Sequence, residues 1–175
     1  MLTGHVAVAL GAHGLRSTVP LGLLLIASQL PDWADAALCI GGIRSSTPGL
    51  YSHAVLPVAV LAAIAAGAYF VWRRDAAGSV IVAAVVVTHV LGDYVTGLKP
   101  AWAGGPVIGL NLYGAPALDF VFEAAVLAAG WILYQRSFPA AKRYSRGVLM
   151  VLLSLLLIQA AADIAIFVSP DMSKC

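Results

Sequence analysis

Apolar residues along this chain fall into long runs that short polar segments separate. A bilayer core of about 30 Å takes roughly 20 helical residues at 1.5 Å each, so a run of that length can cross a membrane. Four runs meet this length, and the predicted spans are residues 53–72, 78–98, 115–135 and 147–168. The pattern therefore predicts an all-α integral membrane protein whose helices form one bundle.

The first apolar run, residues 2–30, is interrupted in its middle by residues that break helices. Gly14 and Pro20 are two of them, and Arg16 lies between the two. Two interpretations are open: one bent span, or two short helices folded as a hairpin over residues 1–30. The hairpin leaves Arg16 at its tip, where a charged side chain needs a partner or a route to water.

The position of His5 favours the hairpin. A single span would place His5 and Asp32 roughly 40 Å apart, on opposite sides of the membrane. A hairpin places both residues at the outer side, together with the other polar residues of the spans. We therefore expect the hairpin, an outer loop over residues 31–52, and a single domain over residues 1–175.

The overall composition agrees with a membrane location. Of the 175 residues, 61% are hydrophobic and only 10% are charged, whereas a soluble domain is about 25% charged. The net charge of +2 is small and falls in loops, so nucleic-acid binding has no support. Two cysteines, Cys39 and Cys175, are too few for a disulfide framework, and we expect two separate thiols rather than a pair.

Lysine and arginine are unevenly divided between the two sides of the predicted bundle. Basic loops stay in the cytoplasm, so the side with more of these residues is the inner one. The inner loops hold Arg73, Arg74, Arg136, Lys142, Arg143 and Arg146, and the outer side holds Arg44, Lys99 and Lys174. This bias predicts a multi-pass membrane protein with the loops at 31–52 and 99–114 on the extracytoplasmic side.

The second predicted span contains a histidine and an aspartate four residues apart, His89 and Asp93. Positions i and i+4 lie on one face of a helix, so both side chains can bind one metal ion. Counting the helical rise places His89 and Glu123, on different spans, at roughly 13 and 12 Å below the outer surface. Asp93 and Asp119, one turn further out, also agree in depth. Ionisable residues inside a membrane usually mark a functional site.

Candidate ligands from separate segments therefore fall in one layer near the outer side. The predicted metal ligands are His5, Asp32, His53, His89, Asp93 and Glu123, with Asp119 as a further candidate. Imidazoles mixed with carboxylates suit Zn²⁺ best and also Mn²⁺ or Fe²⁺, and the set is large enough for one or two ions. A metal-bound water can attack phosphorus or a carbonyl carbon. His5 and Glu123 would complete the shell or act as the general base.

Short motifs around these residues resemble those of a known family. Gly4-His5, Pro31-Asp32, Ser52-His53 and the stretch from Thr88-His89 to Gly92-Asp93 resemble the membrane-bound metal-dependent hydrolase family of YdjM-like inner-membrane proteins. The order of the ligands is also distantly similar to that of zinc-dependent phospholipase C. The resemblance implies a bacterial-type inner (plasma) membrane as the location. It also implies hydrolysis of a phosphoester or similar bond in a membrane-accessible, lipid-like substrate. Residues 47–53 depart from the family because they lack its first histidine and its arginine.

Two alternatives come from other functional classes. The protein could be a non-catalytic subunit of a larger membrane complex, with protein partners instead of a substrate. It could also bind haem or chlorophyll, with His53 and His89 as axial ligands, because imidazoles hold haem iron. Membrane lipids are the expected surroundings under every interpretation.

Overall fold

The computed structural model describes residues 1, 3–43, 47, 49–143 and 145–168. The prediction of an all-α bundle is confirmed, because long helices account for most of these residues. The elements are α1 (Thr3–Leu15), α2 (Leu21–Ile40), α3 (Val55–Arg73), α4 (Ala76–Thr96), β1 (Lys99–Pro100), β2 (Val107–Ile108), α5 (Pro116–Gln135) and α6 (Arg146–Val168), with 3₁₀ turns at Leu112–Gly114 and Ala140–Lys142.

In the described part of the chain, four helices are long and apolar enough to cross a membrane: α2, α3, α4 and α5. In α6 the apolar stretch Leu149–Ala165 is shorter. Large hydrophobic side chains such as Leu56, Val80 and Leu118 are exposed on the outward faces of the helices. Helices that meet lipid tails carry such faces, so the chain has the build of a multi-pass membrane protein.

The N-terminal run folds as the expected hairpin of α1 and α2. Arg16 at its tip donates to Asp75, with Nη2 2.8 Å from Oδ1 and Nε 3.2 Å from Oδ2. Asp75 also accepts from the backbone N–H of Gly78 and so caps the start of α4. This backbone hydrogen bond, together with Arg16, lowers the pKa of the Asp75 carboxyl. His13 closes the tip by donating from Nδ1 to the carbonyl of Val19 at 2.9 Å.

Helix α1 lies in the interior of the bundle and is packed closely against α5 at glycines. A Cβ atom added at Gly130 would lie 2.7 Å from the carbonyl carbon of Ala7, and one at Gly14 would lie 2.7 Å from the amide nitrogen of Tyr134. Both distances are too short for real atoms, so the backbones approach this closely because the residues are glycine. At 13 residues, α1 is about 20 Å long; it begins at the buried Thr3 and ends at the exposed Leu15, next to the hairpin tip.

The predicted outer loop at residues 31–52 begins before helix α2 has ended. Helix α2 continues through Pro31 to Ile40, so the prediction of a loop over residues 31–40 is wrong. A proline inside a helix removes one hydrogen bond, but the following residues include good helix formers that let the helix resume. Asp32 is therefore held on a helix, and α2 becomes long enough to span a membrane.

Cys39, near the end of α2, is disulfide-bonded. The expectation of two separate thiols is therefore wrong for this residue, while Cys175 lies outside the described residues. A single cysteine near the end of a helix can take part in a disulfide where the compartment is oxidising.

Candidate metal centre

Four side chains from three segments converge on one point, in the C-terminal halves of α2 and α4 and just before α3. They are Asp32 on α2, His53 just before α3, and His89 and Asp93 on α4, and we call them the four-residue cluster. Each offers one ligand atom, and these atoms all lie within 4.8 Å of one another. The structure thus brings together four of the six ligands predicted from the sequence.

Five of the six separations within the four-residue cluster are close to those of a tetrahedral metal site. His53 Nε2 lies 3.2 Å from Asp32 Oδ1 and 3.1 Å from Asp93 Oδ2. His89 Nε2 lies 3.5 and 3.6 Å from the same two oxygens, and 3.4 Å from His53 Nε2. Metal–ligand bonds of about 2.1 Å in a tetrahedron place neighbouring ligand atoms about 3.4 Å apart. The five separations therefore enclose a space of the right size for one ion.

The other ring nitrogen of each clustered histidine is held by a hydrogen bond. His89 Nδ1 donates to the backbone carbonyl of Ser28 at 2.6 Å. The hydroxyl of Ser52 donates to Asp35 Oδ1 at 2.8 Å, so it accepts from His53 Nδ1, which lies 2.7 Å away. Both hydrogen bonds put the proton on Nδ1 and leave the lone pair of Nε2 facing the centre. This is the arrangement of metal-binding histidines in general.

Asp93 is contacted on both of its carboxylate oxygens. Oδ2 faces His53 and His89, and it also lies 3.5 Å from Nζ of Lys99. Oδ1 accepts from the amino group of Met1 at 2.9 Å and lies 3.2 Å from Nε2 of His5. The acid at the middle of the centre is thus surrounded by groups that can carry positive charge.

The centre is buried except on one side. His53, His89 and Asp93 are almost fully buried, whereas the side chain of Asp32 is 44% exposed. Lys99, which contacts Asp93, is 26% exposed. A small molecule or a lipid headgroup would therefore meet the centre beside Asp32 or beside Lys99.

His5 lies beside the four-residue cluster. Its ring stacks on that of His89 with centroids 3.6 Å apart, so the two imidazoles share one level of the bundle, as expected. His5 is buried, and neither of its ring nitrogens makes a hydrogen bond. Its Nε2 is within ion-pair distance of Asp93 Oδ1, but the angle is unsuitable for a hydrogen bond. Its roles as ligand and general base stay predictions.

Glu123 contacts α1 and lies outside the four-residue cluster. Its Oε2 accepts from the backbone N–H of Gly4 at 3.0 Å. Asp119, one turn before it, is buried without a hydrogen bond to either oxygen. Among the described residues, neither acid belongs to a group of ligand atoms close enough to share one ion with the histidines. The ligand and catalytic roles of Glu123 stay predictions.

The residues that hold and flank the ligands were not predicted from the sequence. Asp35 follows Asp32 by three residues, so both lie on one face once α2 extends past Pro31. Ser52 directly precedes His53, which was a weak signal for a partner of the imidazole. The Ser28 carbonyl left no signal, because any residue type can supply a backbone oxygen.

The fold and the centre together define the class: a helical membrane protein with two histidines and two aspartates placed to hold a metal ion. Comparison with known proteins finds no matching family model, no matching curated protein and no matching solved structure. The resemblance to YdjM-like proteins therefore stays a prediction, and the function has to be argued from the site.

Proposed function

We propose that this protein is a membrane-bound metal-dependent hydrolase whose ion is held by Asp32, His53, His89 and Asp93. The main support is the near-tetrahedral spacing of four ligand atoms together with the hydrogen bonds that aim both Nε2 lone pairs at one point. Two nitrogens and two oxygens suit Zn²⁺, and also Mn²⁺ or Fe²⁺, better than Mg²⁺ or Ca²⁺.

The residues around the ion have the properties that hydrolysis requires. A bound divalent ion would polarise the scissile bond and make a nucleophile from water near neutral pH. Asp32 is the exposed ligand, so substrate and water would enter on its side. His5, which is buried beside Asp93 without hydrogen bonds, is placed to accept a proton as the general base. Glu123, which accepts from the backbone N–H of Gly4, is the second candidate for completing the shell or for the general base.

The proposed substrate is a phosphoester, or a similar bond, in a lipid-like molecule at the extracytoplasmic surface. The centre lies near the ends of membrane-spanning helices, where a headgroup can reach it. Arg73 and Arg74 lie at the opposite end of α3 from His53, which supports an inner location for that end. The disulfide-bonded Cys39 lies at the same end of α2 as Asp32, as expected in an oxidising compartment.

Metal analysis of the purified full chain in detergent tests the first part of the proposal. We expect about one equivalent of a divalent metal in the parent, and loss of it in the double variant His89→Gln and Asp93→Asn. His13→Gln is the matched control, because His13 lies at the hairpin tip and should leave metal content unchanged. A parent that holds no stoichiometric metal after loading with Zn²⁺ would contradict the proposal.

Activity tests the second part. The metal-loaded parent should release phosphate or alcohol from a panel of phosphoesters that includes short-chain phospholipids, and the double variant should not. Metal binding without hydrolysis of any of them would favour the alternative of a non-catalytic subunit. The haem alternative is less compatible with the geometry, since His53 and His89 Nε2 face each other at 3.4 Å among carboxylates, with no room for a macrocycle between them.

A further inference from the structure

Lys99 is a partly exposed residue beside the centre, and it is not one of the residues that would hold the metal ion. Its ammonium nitrogen lies 3.5 Å from Asp93 Oδ2, the oxygen that also faces both clustered histidines. The side chain is 26% exposed, so it joins the buried centre to solvent. Among the described residues, the other ion pair of a lysine or arginine, between Arg16 and Asp75, lies at the hairpin tip.

The backbone around Lys99 is fixed to the same elements that carry the ligands. Lys99 pairs with Ile108 in the short antiparallel strands β1 and β2. Tyr94 on α4 donates from its hydroxyl to the carbonyl of Pro100 at 3.2 Å, and the carbonyl of Ala101 accepts from the N–H at the start of α3. The lysine is thus held in register with Asp93 and His53 on a rigid support, which is how binding groups are preorganised.

The charges around the centre indicate a binding role for Lys99 once an ion is bound. The two carboxylates of the four-residue cluster carry two negative charges, which one divalent ion neutralises. The ion would also take Asp93 Oδ2, the oxygen that Lys99 faces. A partly buried ammonium group without a counter-charge is unfavourable. Once the ion is bound, an anion beside it would supply the counter-charge that Lys99 then lacks.

We propose that Lys99 binds the phosphate group of the substrate next to the metal ion. This assignment rests on the proposed function and specifies its substrate class as a phosphate monoester or diester, in a lipid headgroup or a small molecule. A lysine recognises phosphate as a compact point charge.

Phosphate binding to the metal-loaded full chain tests the assignment, with isothermal titration calorimetry in neutral detergent as the measurement. The probes are inorganic phosphate and short-chain phosphatidic acid, with short-chain diacylglycerol as the uncharged comparison. Lys99→Met should weaken binding of both phosphate probes at least tenfold, and Lys99→Arg should restore most of it. Lys142→Met, in the connection between α5 and α6, is the control and should bind like the parent.

Metal content measured on the same samples separates the two proposals. Removing a positive charge near the ion should not weaken metal binding, so Lys99→Met should keep its metal while it loses phosphate. Equal phosphate affinity in metal-loaded Lys99→Met and parent, or no phosphate binding by the metal-loaded parent, overturns the assignment and leaves the metal site intact. A parent without metal overturns the proposed function, and the assignment with it. Lys99-dependent binding of phosphatidic acid much tighter than that of inorganic phosphate identifies a lipid headgroup as the source.

Discussion

Replacing Ser52 by alanine should weaken metal binding although Ser52 is not a ligand. The substitution removes the hydroxyl that accepts from His53 Nδ1 and donates to Asp35. Ser52 is fully buried, so water cannot easily take its place. Loss of such a partner typically costs 10–100-fold in metal affinity, or about 1.4 to 2.7 kcal/mol. The cost of an unsatisfied buried N–H, about 1–3 kcal/mol, gives the same range.

The measurement is a competition titration of Zn²⁺ against a chromophoric chelator, on protein purified in detergent. Ser28→Ala is a matched control, because Ser28 is equally buried but holds His89 through its backbone carbonyl, which the substitution keeps. The Ser28 hydroxyl bonds only within its own helix, to Leu25. We expect Ser28→Ala to change affinity less than about threefold. Equal affinities for Ser52→Ala and the parent, or an equal loss in both variants, would refute the role of the Nδ1 hydrogen bond.

Three further predictions concern the fold and the ion. Gly130→Ala should lower the unfolding temperature sharply because its Cβ would overlap the Ala7 carbonyl, whereas Gly67→Ala, with open space around it, should be tolerated; a thermal melt of each variant checks this. Asp75 has a lowered pKa in the folded protein. Its contribution to the free energy of unfolding is therefore fully present above its ordinary pKa of 3.8, and it is lost as the pH falls through the lowered pKa. The difference in melting temperature between parent and Asp75→Ala should therefore narrow below about pH 4, and a constant difference would contradict the ion pair with Arg16. Chelation should lower the melting temperature of the parent, since an ion at a concentration 100 times its Kd stabilises the folded protein by about 2.7 kcal/mol. It should not change the melting temperature of the double variant His89→Gln and Asp93→Asn.

Much of the centre followed from helical geometry alone. The four-residue spacing of His89 and Asp93 predicts a shared face, and counting residues from the span ends predicts a shared depth for groups on different helices. Depth, however, says nothing about rotation around the helix axis. Glu123 lies at the expected level but contacts the backbone of Gly4 and stays outside the cluster. The sequence gives the height of each polar group, and only packing determines the direction in which it points.

Packing also determines the contacts that could not be predicted from the sequence. Pro31 looked like the end of a helix, yet α2 continues to Ile40 and carries Asp32 and Asp35 on one face. The bond from Ser52 to Asp35 joins residues 17 positions apart, so no local pattern predicts it. The hairpin itself was predictable, because it places His5 and Asp32 on one side, but the partner that Arg16 finds at the tip, Asp75, depends on how α4 packs.

The pattern of hydrogen bonds in the centre argues for a cation better than the ligand set alone does. Because the Nδ1 atoms of His53 and His89 donate their protons to Ser52 and to a backbone carbonyl, a neutral ring presents only a lone pair at Nε2. Each Nε2 then lies 3.1 to 3.6 Å from carboxylate oxygens, which are acceptors as well. Acceptors that face each other in a buried site repel unless a proton or a metal ion lies between them. In the ion-free centre protons have to lie between these acceptors, and a divalent ion that takes their place should release them. Metal affinity should accordingly rise with pH, and a calorimetric titration in buffers of different ionisation enthalpy would count the protons released.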